Sequence, residues 1–207
     1  MAKINAFQTQ KGWIEVICGP MFSGKSEELL RRINLLKYSE VKYMLFTPAT
    51  DTRTGDKKAK SRDGREITAI TVQNSLQIID EINKADPELQ LIAIDEAQFF
   101  DVNLPDVCSH LANHGYVVMV AGLDMDSWGR PFEVMMKLLV CAEKVTKLKA
   151  ICTKCGATAS FTDHIKPRDK STQVMVGDKN EYTAHCRKCH SCIKDLTADL
   201  PDVRDAK

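Results

Sequence analysis

The sequence predicts an α/β protein in which a parallel β-sheet is flanked by helices and followed by a small metal-binding domain. Short apolar runs alternate with segments whose apolar residues recur at helical spacing, which is typical of strand–helix–strand units. The first apolar run leads into a glycine-rich loop, and two cysteine pairs occur after residue 150. We therefore expect a sheet domain over residues 13–150, a smaller domain over residues 151–193, and flexible tails at residues 1–12 and 194–207.

The order of elements follows from the apolar runs and the periodic segments. We expect strands at residues 13–18, 42–47, 67–72, 89–94, 116–121 and 145–150. We expect helices at residues 27–38, 76–82, 104–114 and 133–141, the third of which ends at Gly115 as a C-cap. Residues 49–65 are polar and contain Gly55 and Gly64, which predicts a mobile surface loop.

The composition excludes several classes of function. The 207 residues include 29 Lys and Arg against 28 Asp and Glu, so there is no overall attraction to nucleic acid or to an anionic membrane. No apolar stretch is long enough to span a membrane, and residues 1–12 lack the apolar core of a signal peptide. We expect a cytoplasmic protein with no membrane or nucleic-acid partner. Its eight cysteines are then metal ligands and buried thiols rather than disulfides.

Residues 19–26 follow the G-x-x-x-x-G-K-S pattern of a phosphate-binding loop. A chance glycine-rich turn would lack the strand before this loop and the helix after it. The glycines let backbone N–H groups converge on a phosphate, and the helix N-terminus adds a partial positive charge. Lys25 is expected to reach the β- and γ-phosphates, and Ser26 to hold Mg²⁺. The sequence thus predicts a P-loop NTPase-type domain that binds ATP or GTP through Gly19, Pro20, Met21, Phe22, Ser23, Gly24, Lys25 and Ser26.

Two adjacent carboxylates follow the apolar strand at residues 89–94. Asp95 is expected to hold Mg²⁺ at the carboxyl edge of the sheet, directly or through water. Glu96 is then placed to accept a proton from an attacking hydroxyl or water. In isolation both acids would be read as helix caps. The phosphate loop upstream favours the catalytic interpretation.

The cysteines after residue 150 form two C-x2-C pairs, which predicts a structural zinc site. Four thiolates satisfy tetrahedral Zn²⁺ and leave no open position. The expected ligands are Cys152, Cys155, Cys186 and Cys189. Three neighbours of the second pair remain alternatives to its last cysteine: His185, His190 and Cys192. The wide separation of the pairs allows a projecting loop between them. Three other cysteines in apolar contexts are expected to pack in the core: Cys18, Cys108 and Cys141.

These motifs together resemble the type II thymidine kinases, a cytosolic family with a phosphate-loop domain and a zinc-bearing lasso. The similarity runs from about residue 13 to residue 189. Its specific pieces are residues 19–26, Asp-Thr-Arg at 51–53, Asp-Glu-Ala-Gln-Phe-Phe at 95–100, Gly-Leu-Asp at 122–124, Pro-Phe at 131–132 and the cysteine pairs. The resemblance implies transfer of the γ-phosphoryl group of ATP to the 5′-hydroxyl of thymidine, and of deoxyuridine, with Glu96 as the base. It also implies a homotetramer and feedback inhibition by thymidine triphosphate (dTTP).

The resemblance further implies which residues bind the two substrates. Apart from the phosphate loop, the ATP site would include Asp51, Thr52, Arg53, Asp95 and Gln98, and Arg53 would stabilise the developing charge. Thymine would be recognised by backbone groups of Gln173, Val174, Met175, Val176 and Gly177, with Thr162 and Tyr182 alongside. The base pocket would be lined by Met21, Phe99, Leu123 and Phe132. The family has Phe where this chain has Ser127, so either Trp128 supplies the aromatic wall or substrate affinity is altered.

Two other classes of protein also combine such motifs. A zinc-carrying ATPase of the recombinase or helicase type has a phosphate loop and a Glu after the strand Asp, but it needs a nucleic-acid surface. Balanced charge and an aromatic content of 6% give that surface little support. A non-catalytic zinc scaffold would release no ADP.

Overall fold

A computed structural model of the chain describes residues 12–36, 41–49, 58–60, 66–165 and 181–193. The strands of these residues are β1 Trp13–Cys18, β2 Lys42–Pro48, β3 Lys58–Lys60, β4 Glu66–Thr68, β5 Ile70–Val72, β6 Leu89–Ile94, β7 Val117–Gly122, β8 Lys144–Lys147, β9 Ala150–Ile151, β10 Thr158–Ala159, β11 Phe161–His164 and β12 Tyr182–His185. The helices are α1 Lys25–Leu36, α2 Leu76–Ile82, α3 Leu104–Asn113 and α4 Glu133–Cys141, with a 3₁₀ turn at Ala97–Phe99.

Six strands form the central sheet in the order β5-β2-β6-β7-β1-β8, and every neighbouring pair is parallel. Alternate side chains of β1 enter two different cores. Val16 and Cys18 pack with residues of α2, α3 and α4, whereas Ile17 packs with Leu29 and Ile33 of α1. The sheet is therefore covered on both faces, as its continuous apolar strands require. The predicted parallel sheet flanked by helices is confirmed.

The parallel arrangement places the ends of several strands at one edge of the sheet. Because β1 lies between β7 and β8, the loop that leaves β1 is flanked by the segments that follow those two strands. Strand β7 pairs with β1 on one side and with β6 on the other. Asp95 follows β6 and so also lies at this edge. Ligands of open α/β sheets bind at this carboxyl edge. The fold thus brings the phosphate loop, the acidic pair and residues 122–132 together.

Two predicted strands are wrong in their extent. The run at residues 67–72 breaks at Ala69, because β4 pairs antiparallel with β3 whereas β5 pairs parallel with β2. Among the described residues of the polar loop predicted at residues 49–65, Lys58–Lys60 form strand β3. The run at residues 145–150 also breaks: β8 joins the central sheet, while Ala150 pairs with β10 and packs against Cys152.

The remaining helix predictions need smaller corrections. Helix α1 begins at Lys25, within the phosphate loop, rather than at Glu27. Gly115 follows α3 with a φ of 96°, which confirms it as the C-cap glycine.

Cys18 and Cys108 are buried as expected, but Cys141 is exposed because the core contacts of α4 come from earlier turns. In the described part of the chain, no helix is both long and apolar enough to cross a membrane.

Candidate active site

The phosphate loop has the backbone geometry that its glycines allow. Gly19 has a φ of 146° and Gly24 a φ of 79°. A Cβ atom on Gly19 would lie 2.6 Å from the carbonyl oxygen of Leu148, so no larger residue fits beside the end of β8. Phe22 also has a positive φ, 63°, which is uncommon for a residue with a side chain and indicates local strain. Positive φ angles of this kind are typical of loops whose successive N–H groups form an anion-binding concavity.

Lys25 lies inside this loop at the start of α1. Its Nζ donates a hydrogen bond of 2.8 Å to the carbonyl oxygen of Pro20. Burial lowers the pKa of Lys25, while the carboxylates of Glu96, Asp95 and Asp124 oppose that change. A cation surrounded by carboxylates and backbone carbonyls is well placed to bind a phosphate that displaces the Pro20 contact.

Asp95 follows β6, where it is partly buried, and is held from both sides. Its backbone N–H donates to the carbonyl oxygen of Phe46, and its Oδ1 accepts from the N–H of Glu96, both at 2.9 Å. The Ser26 hydroxyl is also hydrogen-bonded to this carboxylate. Burial and the charge of Glu96 raise the pKa of Asp95 to about 6. The adjacent Ser26 and Asp95 oxygens are the hard donors that Mg²⁺ prefers, so these residues fit the ion.

Glu96 has an unusual backbone conformation for its residue type. Its φ of 53° and ψ of 40° are left-handed helical, which costs a glutamate about 1 kcal/mol or more. This bend turns the chain from β6 into the 3₁₀ turn. Strain of this kind persists where surrounding contacts enforce it. Here the carboxylate itself is fixed, because Gln98 Nε2 donates to Glu96 Oε2 at 2.6 Å.

Gln98 connects the acidic pair to the next strand. Its Oε1 accepts a hydrogen bond of 2.8 Å from the N–H of Leu123. Gly122 permits this approach, since a Cβ there would lie 2.9 Å from the same oxygen. Both ends of the Gln98 amide are thus used within the protein. Gln98 therefore orients Glu96 from a buried position, and Phe99 follows it in the same turn.

The loop at residues 122–132 is braced by a buried carboxylate. Asp126 Oδ1 accepts from the N–H groups of Trp128 and Arg130, and its Oδ2 pairs with Arg130 Nε at 2.8 Å. Ser127, Trp128 and Phe132 are buried. The Trp128 ring lies 5.5 Å from that of His164, which in turn lies 4.7 Å from that of Tyr182. Trp128 therefore packs between this loop and β11 of the C-terminal domain.

A second contact between the two parts of the chain involves Thr162. Its Oγ1 accepts a hydrogen bond of 2.9 Å from the N–H of Met21, 141 residues away in the sequence. Thr162 is almost fully buried. The predicted substrate residues Met21, Phe99, Leu123, Trp128, Phe132, Thr162 and Tyr182 thus belong to the segments that meet around the phosphate loop. Two other predicted groups lie outside the described residues: 51–53 and 173–177.

The four predicted zinc ligands converge. The Sγ atoms of Cys152, Cys155, Cys186 and Cys189 all lie within 4.8 Å of one another. Among the residues that the structure describes, this is the one place where three or more possible metal ligands meet. The donor set and its compactness fit tetrahedral Zn²⁺. Neither nearby histidine nor Cys192 belongs to the cluster, so the alternative ligand sets are not favoured.

The thiols of this cluster have altered acidity. Burial raises the pKa of Cys152, but hydrogen bonds from backbone N–H groups outweigh it and lower the pKa to about 6. The pKa of Cys189 is instead raised to about 12, because the neighbouring thiols share hydrogen bonds with it and Cys152 carries negative charge. Accumulated negative charge on neighbouring sulfurs is what a divalent cation relieves.

The histidines beside the second cysteine pair have other partners, which the sequence did not indicate. His185 Nδ1 donates to Asp163 Oδ2 at 2.8 Å, and His190 Nε2 donates to the carbonyl oxygen of Thr162 at 3.0 Å. Asp163 also accepts from the N–H and hydroxyl of Ser191. The available signal in the sequence was an acid in a polar segment, Asp163, one residue from Thr162. The role of Asp163 can be recognised only from the tertiary structure, which places β11 beside the cysteines.

Comparison with known proteins identifies the family. The family model described as thymidine kinase matches residues 12–190 of this chain. The chain belongs to the thymidine kinase family. The thymidine kinase of Mycoplasmoides gallisepticum is 44% identical over 194 residues, which cover 92% of this chain and 86% of that protein. The thymidine kinase of Bacteroides thetaiotaomicron is 44% identical over 181 residues, which cover 87% and 88% of the two chains. The resemblance to thymidine kinases is therefore confirmed, and with it the expectation of a kinase.

A solved structure, the ATPase DotB of Legionella pneumophila, aligns with a TM-score of 0.42 and 14% identity. The alignment covers 72% of this chain and 43% of that one. So low a score carries no further conclusion. The family assignment rests on the sequence matches.

Proposed function

We propose that the chain transfers the γ-phosphoryl group of ATP to the 5′-hydroxyl of thymidine, and of deoxyuridine, as a step of DNA precursor salvage in the cytoplasm. The observation that carries the proposal is the carboxylate of Glu96, held by Gln98 beside Asp95 and within the field of Lys25. A fixed carboxylate next to a phosphate site is the arrangement that phosphoryl transfer to an alcohol requires. The name shared by the relatives supplies the acceptor.

In this proposal each residue of the site has a separate task. The N–H groups of the phosphate loop and Lys25 bind and orient the phosphates of ATP. Ser26 and Asp95 would hold Mg²⁺, which neutralises charge on the transferred phosphoryl group when bound. Glu96 accepts the proton of the 5′-hydroxyl, and Gln98 keeps its carboxylate oriented. Arg53 adds positive charge. Catalysis is then mainly positioning and charge stabilisation.

The acceptor would lie between the phosphate loop and the C-terminal domain. Phe99, Leu123, Phe132 and Trp128 offer apolar and aromatic surface for a flat base, and Thr162 and Tyr182 lie at its other side. Trp128 takes the place of the aromatic residue that the family has one position earlier, at Ser127. Residues 173–177 would supply backbone hydrogen bonds to thymine. The four cysteines would hold a structural Zn²⁺ that shapes this domain.

A screen of nucleosides for coupled ADP formation tests the proposal. Thymidine, deoxyuridine, deoxycytidine, deoxyadenosine and deoxyguanosine are each added with ATP and Mg²⁺. We expect ADP release with thymidine and deoxyuridine that greatly exceeds release without an acceptor. ADP release that is unaffected by thymidine but increases with single-stranded DNA would instead indicate an ATPase of the recombinase or helicase type.

Feedback inhibition and assembly are two further parts of the proposal. We expect dTTP to place its base in the acceptor site and its phosphates in the phosphate loop, so that either substrate in excess relieves inhibition. A rate unaffected by millimolar dTTP would contradict this. We expect a homotetramer, which light scattering at several protein concentrations measures directly.

A further inference from the structure

We propose that His190 is a positioning residue that couples the second cysteine pair to the phosphate loop through Thr162. The proposal rests on the proposed function for its kinetic consequence, although its structural consequence can be measured without catalysis. His190 lies directly after Cys189 and is 4% exposed. It is one of the residues through which the cysteine knuckle contacts β11.

The two ring nitrogens of His190 have different partners. Nδ1 faces the N–H groups of Cys192 and Ile193, each at 3.0 Å. Both groups can only donate, so Nδ1 must be the acceptor and the ring proton lies on Nε2. Nε2 then donates to the carbonyl oxygen of Thr162 at 3.0 Å. The surrounding chain therefore selects one neutral tautomer, and this tautomer alone can make both contacts.

The contact continues from Thr162 to Met21 of the phosphate loop. The carbonyl of Thr162 is held by His190, and its hydroxyl accepts from the N–H of Met21 in the phosphate loop. The knuckle side is also fixed, because the N–H of His190 donates to the carbonyl oxygen of Cys186 at 3.0 Å. A continuous path thus runs from the cysteine cluster through His190 and Thr162 to Met21. Each group on this path is at least partly buried.

The neighbouring contacts show why His190 rather than another residue performs this coupling. His185 and Ser191 both bind Asp163, which holds the knuckle against β11 without contacting the phosphate loop. Phe161 packs edge-on against the His190 ring at 5.6 Å and limits its rotation. Among these contacts, the His190 hydrogen bond is the one made to Thr162, whose backbone is otherwise held by the pairing of β11 with β12 opposite Ala184. Loss of this hydrogen bond would loosen the Thr162 carbonyl, while the strand pairing and the other knuckle contacts remain.

Two amide substitutions separate the two functions of the ring. An Asn side chain can reproduce the acceptor at Nδ1 but has no donor near the Nε2 position. A Gln side chain can place its amide nitrogen near Nε2 and donate to Thr162. His190→Asn should therefore keep the local turn and lose the coupling, whereas His190→Gln should keep the coupling. Lys188→Ala, at an exposed position of the same knuckle, is the matched control.

The first measurement is amide hydrogen exchange at Met21 in the zinc-loaded protein without substrates. We expect exchange about tenfold faster in His190→Asn than in the unsubstituted protein, since the Thr162 hydroxyl no longer stays in place. We expect little change in His190→Gln and in Lys188→Ala. Unchanged Met21 exchange in a folded, zinc-loaded His190→Asn protein overturns the coupling. If His190→Asn does not fold, faster exchange in His190→Gln than in Lys188→Ala overturns it equally.

The second measurement is steady-state kinetics. Met21 and Thr162 are both predicted to contact thymidine, whereas the other phosphate-loop N–H groups and Lys25 remain to hold ATP. We therefore expect His190→Asn to raise the thymidine KM about tenfold, with ATP affinity measured without thymidine and zinc content both unchanged. An equal rise in His190→Gln would assign the effect to the local turn and overturn the coupling. If the unsubstituted protein does not phosphorylate thymidine, the proposed function fails, while the Met21 exchange still decides the coupling.

Discussion

Gln98 donates a 2.6 Å hydrogen bond to Glu96, and the same side chain accepts from the N–H of Leu123. Glu96, the proposed base, is thus tied to Leu123 in the loop at residues 122–132 that follows β7. Gln98→Met keeps the size of the side chain but removes both hydrogen bonds. We expect kcat to fall roughly tenfold to 10²-fold, since a hydrogen bond to a charged group is lost, while ATP affinity stays within about twofold. An unchanged kcat would show that Glu96 needs no orientation.

Glu96 itself should be more important for turnover than for binding. Glu96→Gln keeps the shape and the contact with Gln98 but removes the proton acceptor. We expect kcat to fall by roughly 10²–10⁴ with little change in the dissociation constant of ATP. Glu88→Gln, at an exposed site, is the control and should leave both values unchanged. Near-normal turnover of Glu96→Gln would rule out this residue as the base.

Glycine is required at position 19 because Leu148, the residue after β8, closely approaches the phosphate loop there. Gly19→Ala would place a methyl group 2.6 Å from the Leu148 carbonyl oxygen, so the phosphate loop must shift. We expect kcat/KM for ATP to fall by about 10²-fold, because displacement of a positioning group by about 1 Å has that effect. Gly156→Ala provides the control: Gly156 also has a positive φ, 72°, but an added Cβ meets no atom within 4 Å. Equal effects of the two variants would contradict the steric explanation.

The cysteine cluster should be needed for thymidine but not for ATP. The double substitution Cys155→Ser and Cys186→Ser is expected to abolish zinc binding and to raise the thymidine KM by at least about tenfold. ATP binding, measured by calorimetry without thymidine, should be largely kept. Cys192→Ser is the matched control, because this thiol lies in the same domain but outside the cluster. Normal thymidine binding by the zinc-free protein would separate the metal from the acceptor site.

Asp163 gives the stability of the chain a pH dependence at its acid end. Burial raises the pKa of its carboxyl group, but hydrogen bonds from Ser191 and His185 more than offset this and leave the pKa below its usual value. A lowered folded-state pKa stabilises the protein above the unfolded-state value of about 4, and this stabilisation is lost as the pH falls through the folded-state value.

Asp163→Asn should therefore lower Tm at pH 7 by several degrees, on the basis of about 1–3 kcal/mol for a buried charged hydrogen-bond partner and ~2–4 °C per kcal/mol. The difference from the unsubstituted protein should shrink as the pH is lowered below about 4. Calorimetric melting at a series of pH values measures it, with exposed Asp80→Asn as the control. A Tm difference independent of pH would mean that the Asp163 charge is not involved.

Local patterns were sufficient for the donor half of the site. The phosphate loop, Asp95 and Glu96 follow buried strands directly, so an apolar run and the next few residues identify them without any knowledge of distant contacts. The left-handed conformation of Glu96 was not predictable, because it is enforced by the Gln98 bridge and by packing around the 3₁₀ turn. Propensity alone disfavours it.

The incorrect strand predictions and the choice left open for the fourth zinc ligand have a common cause. Whether Ala69 interrupts a strand depends on which partners β4 and β5 pair with, and apolar alternation carries no information about the partner. The histidines near Cys186 and Cys189 look like zinc ligands in the sequence, but their ring nitrogens are used by Asp163 and Thr162. Competition between possible partners is decided by the tertiary structure, which short-range spacing does not report.

The hydrogen bond from Met21 to Thr162 also has a consequence for how the enzyme is made. Its donor lies near the start of the chain and its acceptor 141 residues later, and His190, which holds the acceptor, is synthesised later still. At a translation rate of about 5–20 residues per second, the phosphate loop waits on the order of ten seconds or more for its partner. A nascent sheet domain can therefore fold before the acceptor site exists. Incomplete chains released from the ribosome before residue 162 would lack this contact between the phosphate loop and β11.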